Sequence, residues 1–361
     1  MNVLLLTDKL IMGGAEMYYC KLVNQLKHPE ITFYYAAAKG ELFNKIKGKH
    51  HFTELSRTNH LKNIRTLLNL VDDRQITLIH ANSLRMVLYS ILLKKLFKRP
   101  IKVIYTKHNI TILEKKFPLG FMHLMNIYVN RIITVSGSEK GSLEQLGVQD
   151  SKIRTIYNGV DLEQFVFHRK ESGVVFNIGI LARLSEEKNH ALFIQIANEL
   201  KNRPNVMFYI AGNGPEKQKI SDLIRSYNLS GKVKMLGEVQ NPEDFIRDMD
   251  ILLLTSNREV FPMVIIESMA IGTPVISIDK GGIKEAVIQD ETGVLIKSHS
   301  VEEFSNQIIR LESDQLSRMR ISKQARQKVE REFSLEQMAK QTLEEYLNFA
   351  DDVKGYIGVR Q

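Results

Sequence analysis

The chain reads as an α/β protein built from two doubly wound domains, each a parallel sheet covered by helices on both faces. Three features predict this. Short β-rich runs alternate with amphipathic helical stretches from end to end, the pattern of strands joined by crossover helices. Runs such as NVLLLTD and DILLLTS are apolar almost throughout, as strands buried on both faces are. The alternation also comes in two series, each about domain-sized, with the polar stretch HRKES near the break.

Taken in order, NVLLLTD forms a strand, IMGGAE a glycine turn and AEMYYCKLVNQL an amphipathic helix. ITFYYAAA, ITLIHAN, IKVIYTKHN and RIITVSGS follow as strands separated by helical stretches. A second series begins near residue 173 with GVVFNIGILARL, then NVMFYIAGNG, KVKMLGE, DILLLTS, TPVISID and ETGVLI. Between these lie the helical pieces NHALFIQIANELK, EKQKISDLIRSYNL, NPEDFIRDM and FPMVIIESMA. This places one domain at 1–165 and a second at 166–335. The tail, from FSLEQMAKQTLEEYLNFADD, reads as a closing helix pair, with 336–361 set apart from the second domain.

Composition narrows the function classes. The chain is 43% hydrophobic and 25% charged, close to the globular average. Its single cysteine, Cys20, excludes an internal disulfide framework and suits a reducing compartment. The first apolar run has no basic segment ahead of it, so it reads as a strand and not a signal peptide. No run reaches about 18 uninterrupted apolar residues; FPLGFMHLMNIYVNRIITVS is broken by His123, Asn126, Asn130 and Arg131. The chain is therefore expected to be soluble and cytoplasmic.

The charge is one-sided. Residues 1–165 hold 24 Lys and Arg against 13 Asp and Glu, a net +11, and the remainder holds 26 against 28, a net −2. The excess fits an anionic partner for the first half, or simply a solvated basic surface. The basic residues are not interleaved with aromatic stacking platforms, which argues against nucleic acid. In MVLYSILLKKLFKRP, Lys94, Lys95, Lys98 and Arg99 cluster beside apolar residues. That segment reads either as peripheral contact with an anionic membrane or as a core helix ending in solvated charge.

In doubly wound sheets ligands bind beyond the carboxyl ends of the strands, and four segments lie there. Gly13-Gly14 follows the first strand, where paired glycines let amides approach a phosphate or merely make a tight turn. Arg183 and Lys188, in ARLSEEKN, offer a planar fork and a point charge suited to a diphosphate, or form an exposed charged loop. Gly212 and Gly214, in AGNGP, make a strand-to-helix turn with room beside it. In REVFPMVIIESMAIGTPVIS, Glu259 and Glu267 stand eight positions apart around Pro262, which suits the first turn of a helix. Glu267 then lies about five residues inside that helix, roughly 7–8 Å along its axis.

The order GGAE, KHN, NGVD, ARLSEEKN, AGNGP, LGEV, then E-x7-E within EVFPMVIIESMAIGTPVI, GGIKE and TG resembles the retaining family 4 (group 1) glycosyltransferases of the GT-B fold. The likeness runs from about residue 1 to 295. It implies two Rossmann-like domains with parallel sheets facing across a cleft, acceptor bound by the first and donor by the second. It also implies a final helix, LEEYLNFA, that packs back on the first domain. The implied activity is that of a hexosyltransferase moving sugar from a nucleotide-sugar, UDP-sugar by preference, to a glycan or lipid-linked acceptor in polysaccharide or glycolipid biosynthesis. Arg183 and Lys188 would bind the diphosphate, Glu259 the hydroxyls of the transferred sugar and Glu267 those of the ribose. Amides of Phe261, Met263 and Val264 would face the phosphates. The loop from Leu236 through Gly237 and Glu238 to Val239 would meet the base, and Gly212 would lie beside the donor. His108 would reach the donor sugar, and Gly13 and Gly14 would close over phosphates or acceptor. No cofactor and no metal are implied.

One residue departs from the pattern: Val260 stands where the family commonly has glycine, and a β-branched residue restricts the backbone there. The D-x-D of Asp248 and Asp250 lies at a helix end leading into a strand, not at a strand's carboxyl end. His50, His51 and His80 have no partners at metal-ligand spacing. A two-domain sugar-nucleotide 2-epimerase shares the architecture, but ARLSEEKN and E-x7-E speak against it. A nicotinamide enzyme lacks its G-x-G-x-x-G after the first strand. A transferase acting on a small soluble acceptor remains open.

Overall fold

The computed structural model describes residues 1–96, 101–171 and 173–349. It divides into two compact units, Met1–Gly159 with the chain from Leu335, and Val160–Ser334. The first break thus precedes the position expected at 165. The Val160 amide donates to Phe333 O at 2.9 Å and Val160 bridges to Ser334, which draws residues 160–165 into the second unit.

In chain order the first unit comprises β1 (Asn2–Lys9), α1 (Gly14–Gln25), β2 (Thr32–Ala38), β3 (Phe52–Glu54), α2 (His60–Asp73), β4 (Leu78–Ala81) and α3 (Leu84–Leu96). It continues with β5 (Lys102–Lys107), α4 (Ile112–Lys116), α5 (Pro118–Tyr128), β6 (Arg131–Thr134), α6 (Gly137–Gln145) and β7 (Ile153–Thr155). The strands form one parallel sheet of order β3-β2-β1-β4-β5-β6-β7. The order reverses between β1 and β4, which opens a crevice beyond their carboxyl ends. Val3 to Leu6 are at most 1% exposed, so β1 is buried on both faces.

The second unit holds β8 (Phe176–Leu181), α7 (His190–Glu199), β9 (Val206–Ala211), α8 (Lys217–Ser226), β10 (Val233–Gly237), α9 (Pro242–Asp248) and β11 (Ile251–Leu254). After these come α10 (Met263–Ile271), β12 (Val275–Ile278), α11 (Ile283–Ala286), β13 (Val294–Ile296), α12 (Val301–Ser313) and α13 (Gln315–Glu332). Its six-stranded parallel sheet has the order β10-β9-β8-β11-β12-β13. Here the reversal falls between β8 and β11. Asp250, read from sequence as one end of a D-x-D, accepts from Asn177 N–H at 2.7 Å and pairs with Lys170 at 3.3 Å. It fastens the start of β11 and points away from the carboxyl edge.

The sequence reads a helix pair in the tail; among the described residues the tail forms one helix, α14 (Leu335–Leu347), which belongs to the first unit. Met338 and Tyr346 join the apolar cluster of α1, β1 and β2. Tyr346 hydroxyl meets His80 Nδ1 at 2.5 Å, while His80 Nε2 meets Thr106 Oγ1 at 2.6 Å. Glu345 pairs with Arg131 at 2.7 Å. Lys98, Arg99 and the last residue of LEEYLNFA lie outside the described residues. Among the described residues no helix is long and apolar enough to cross a membrane.

Two core histidines, together with His108, make this fold acid-sensitive. Burial pushes the pKa of His80 down to about 3, with nearby His108 adding to it, and burial pushes that of His190 down to about 4. In the unfolded chain both take a proton near pH 6.5. Below that pH the unfolded state binds protons that the native state refuses, so stability is lost as pH falls. Each histidine should cost about 2 kcal/mol between pH 6.5 and 5. Urea unfolding at the two pH values should show this loss, with a shallower slope for His80→Asn; equal stability at both would contradict it.

Candidate active site

In the second unit, the loops that follow β8 and β11 are stitched together at the sheet reversal. Thr255 shares its hydroxyl proton between the Lys188 and Asn189 carbonyls, 3.0 Å from each, and Asn257 N–H donates to Glu187 O at 2.8 Å. This brings together two residues that the sequence separates by 71 positions: Lys188 Nζ donates to Glu259 Oε1 at 2.7 Å. Ser256 Oγ donates to the same oxygen at 2.7 Å. The Glu259 side chain is only 8% exposed. Its second oxygen has no protein partner among the described residues and remains able to accept two hydrogen bonds. Arg183 lies exposed in the same loop without an ion pair among the described residues.

Gly281 and Gly282 strap this acid from the other side. The Gly282 amide donates to Val260 O at 2.8 Å, and Gly281 takes φ +58°. A Cβ on Gly281 would lie 1.9 Å from Glu259 O, so only glycine fits. Val260 itself is not among the residues with positive φ, and its branched side chain costs no backbone strain there.

Helix α10 starts one residue later than the sequence reading placed it, with Pro262 as its N-cap. Phe261 is therefore outside the first turn; its buried ring lies 5.4 Å from that of Phe333. Ile265 N–H bonds Pro262 O at 3.2 Å, whereas the amides of Met263 and Val264 have no intrahelical acceptor. Met263, Val264 and Glu267 are the three half-buried residues of α10, the other six being buried. At i, i+1 and i+4 they share one face. Glu267 thus lies one turn after Met263 on the half-buried face of the helix.

A pocket of about 630 Å³ opens between β9, α8 and β10, lined by Gly212, Pro215, Lys217, Gln218, Ser221, Met235, Leu236 and Gly237. Gly212, at φ +138°, presses against the neighbouring loop, where a Cβ would fall 1.9 Å from Ala182 O. Its amide donates to Gly237 O at 2.7 Å. Val239, half-buried just beyond, is not part of the lining.

In the first unit, Gly13 caps α1 with extended backbone, and Gly14 is the helix's first residue. The space a Gly13 Cβ would fill holds the Glu16 carboxylate, 2.4 Å from that point. This helix start therefore faces an internal acid, whose pKa burial raises. His108 follows β5. Its Nε2 lies 2.7 Å from Asn82 Oδ1, and Asn82 Nδ2 donates to Ala15 O at 2.9 Å. An amide oxygen only accepts, so Nε2 carries the proton and Nδ1 is left as an acceptor. Tyr18 packs edge-on at 4.7 Å, and burial pushes the imidazole pKa down to about 3. The ring is neutral at physiological pH.

Lys107 anchors the loop that carries His108. Fully buried, it pairs with Glu114 at 3.1 Å and closely with Glu139, both nearly buried. Glu114 also completes the capping box of α4 with Thr111. Asn82 and Ser256 are not singled out by the sequence, and Lys107 and Gly281 enter it only within the motifs KHN and GGIKE, with no role given. Asn82 and Ser256 do lie just past the strand runs ITLIHA and DILLL, which was the available signal.

Replacing Lys107 by Met should leave two buried carboxylates unpaired and cost about 3–5 kcal/mol in denaturant unfolding. Gly281→Ala should leave most of the fold intact but displace the Glu259 backbone, and any sugar-dependent activity should drop about tenfold or more. Wild-type activity in Gly281→Ala would show that the strap is not needed.

Two family models match the chain: Glycosyltransferase Family 4 over residues 12–164 and Glycosyl transferases group 1 over residues 167–328. The N-acetyl-alpha-D-glucosaminyl L-malate synthase of Bacillus anthracis is 28% identical over 279 residues, 74% of this chain and 73% of that protein. A Campylobacter jejuni enzyme, N-acetylgalactosamine-N,N'-diacetylbacillosaminyl-diphospho-undecaprenol 4-alpha-N-acetylgalactosaminyltransferase, is 31% identical over 202 residues. That match spans 54% of this chain and 53% of the relative, about half its length. Anabaena HepE, solved in complex with UDP and glucose, superposes with a TM-score of 0.83 at 21% identity, over 96% of this chain and 100% of that one. That likeness is one of fold, and it is the GT-B fold. With models matching both units in sequence, this chain belongs to the family 4, group 1 glycosyltransferases.

Proposed function

We propose that the chain moves a sugar from a nucleotide-sugar, by preference a UDP-sugar, to a glycan or lipid-linked acceptor of cell-surface polysaccharide or glycolipid synthesis, with retention of anomeric configuration. It would work at the cytoplasmic face of a membrane. The observation that carries the reading is the meeting of Lys188, Ser256 and Glu259 beside the open amides of α10. The C. jejuni relative, named for a diphospho-undecaprenol acceptor, supports the lipid-linked class. The UDP bound to Anabaena HepE supports the donor.

In this reading the base enters the pocket beside Gly212 and Gly237, and Glu267 takes the ribose hydroxyls. The diphosphate lies at the Met263 and Val264 amides with Arg183 and Lys188. Glu259, its first oxygen held by Lys188 and Ser256, offers the second to hydroxyls of the sugar. When the bond from the anomeric carbon to the diphosphate breaks, the charge on the leaving oxygen is met by the two cations and the helix start. The acceptor oxygen bonds to the same face of that carbon, and its proton passes to the departing phosphate. No side chain acts as nucleophile. His108, neutral with Nδ1 unprotonated, serves as a hydrogen-bond acceptor to the sugar and not as an acid. A small soluble acceptor is the second reading, favoured by the B. anthracis relative, whose name joins the sugar to L-malate.

Incubation with a panel of nucleotide-sugars and acceptors, read by nucleotide release and by the anomeric configuration of the product, tests this directly. Inversion of configuration, or no turnover with any pair, would sink it. Glu259→Ala should lower kcat about 100-fold with little change in nucleotide affinity. Glu267→Ala should weaken nucleotide binding on the order of tenfold with a smaller effect on kcat. The reverse outcome would mean that the donor lies the other way round.

A further inference from the structure

The first unit carries an apolar surface that neither the site nor the core uses. Helices α2, α3, α5 and α6 contribute to one buried cluster on one face of the seven-stranded sheet, as right-handed crossovers toward β7 require. Surface helices ordinarily turn a polar face outward; α3 and α5 do not. Leu88, Leu92 and Leu96 recur every four residues along α3 and are 45%, 37% and 57% exposed. Phe117 and Leu119, at 63% and 74%, begin α5, and Ile127, at 51%, lies near its end. The two helices meet where Lys94 Nζ donates to Tyr128 O at 3.4 Å and Lys95 Nζ stands 4.8 Å from the Tyr128 ring. Ile112, 75% exposed, comes four residues after His108. The surface therefore begins at the sheet edge that holds His108.

Apart from Arg85, which pairs with Asp8 at 3.3 Å, the charge on this surface has one sign. Among the described residues of α3, α4 and α5 the exposed ionised groups are Arg85, Lys95, Lys115 and Lys116. The single acid, Glu114, is buried against Lys107. Exposed leucine, isoleucine and phenylalanine on neighbouring helices call for a cover. Lysines beside them, with apolar stems and outward ammonium groups, match the interfacial position of a membrane-resting helix. Anionic headgroups supply the complementary charge.

We infer that the outer face of α3, α4 and α5 rests on an anionic bilayer, with Phe117 and Leu119 among the acyl chains and Lys115 and Lys116 at the headgroups. This deepens the proposed function and rests on it for its purpose: a lipid-linked acceptor would reach the edge holding His108 at the membrane surface.

Flotation of the full chain with phosphatidylglycerol vesicles and with phosphatidylcholine vesicles tests the surface. The chain should float with the former and not the latter, less so as salt is raised. Lys115→Gln with Lys116→Gln should lower partitioning on the order of tenfold to thirtyfold. Phe117→Ser with Leu119→Ser should abolish it, with Tm unchanged because both side chains already face outward. Equal flotation on both vesicle types, or double variants that float like the wild type, would overturn the inference. So would a sedimentation experiment in which the wild type is a dimer that the serine variants dissociate, since the face would then join two copies. A melting shift with UDP and nucleotide release, both measured without vesicles, report on the transferase separately. Flotation without nucleotide binding would sink the transferase and leave the surface; nucleotide release without flotation would do the opposite.

Discussion

Thr255, fully buried just past the carboxyl end of β11, places its hydroxyl 3.0 Å from two successive carbonyls, those of Lys188 and Asn189. The rest of the second unit's site follows from that contact. Asn189 sits in the left-handed region as the cap of α7, so the loop before it is held at both its polar and its helical end. With its backbone held there, Lys188 reaches Glu259, donating to Oε1 at 2.7 Å. The pair is partly screened by solvent on the lysine side, 22% exposed, and shielded on the carboxylate side. It is better understood as a fixed orientation for Glu259 than as a large source of stability.

A comparable arrangement fixes His108 in the first unit. Its neighbour Lys107 is locked between two acids in the interior, while Asn82 reaches from the adjacent strand end to set the imidazole tautomer. Behind β5, Thr106 bonds His80, and His80 bonds Tyr346 of α14. The last described helix is therefore tied by hydrogen bonds to the strand that presents the histidine. Such buried polar chains stabilise only when every member has its partner, so α14 belongs to the first unit physically as well as topologically.

Much of this was legible in the residues themselves. Each segment beyond a strand end that the sequence marked lies at the carboxyl edge of a sheet, and Glu267 occupies the fifth position of its helix as the spacing with Pro262 implied. What the residues hid were the contacts. Val260 looked like a liability for its missing glycine, yet the backbone there needs no unusual dihedral because Gly281 and Gly282 supply the close approach instead. Gly13 and Gly14 read as an anion site or a tight turn; the Glu16 carboxylate lies where a Gly13 Cβ would fall, and nothing lies within 4 Å of one on Gly14. The lysine-rich end of α3 drew attention to that helix alone, whereas the exposed apolar run continues through α4 and α5.

By itself the sequence determined the alternation of strands and helices, the two series, the eight-residue interval between Glu259 and Glu267, and the basic excess of the first half. These are properties of neighbours along the chain, where hydrophobic period and turn chemistry act. Only the tertiary structure decided that β4 lies beside β5 and β8 beside β11, which puts Asn82 against His108 and Lys188 against Glu259. It likewise decided which histidines are neutral, since burial and not residue type lowers their pKa. Strand order is set by the burial of whole faces against one another, and no local stretch carries that information.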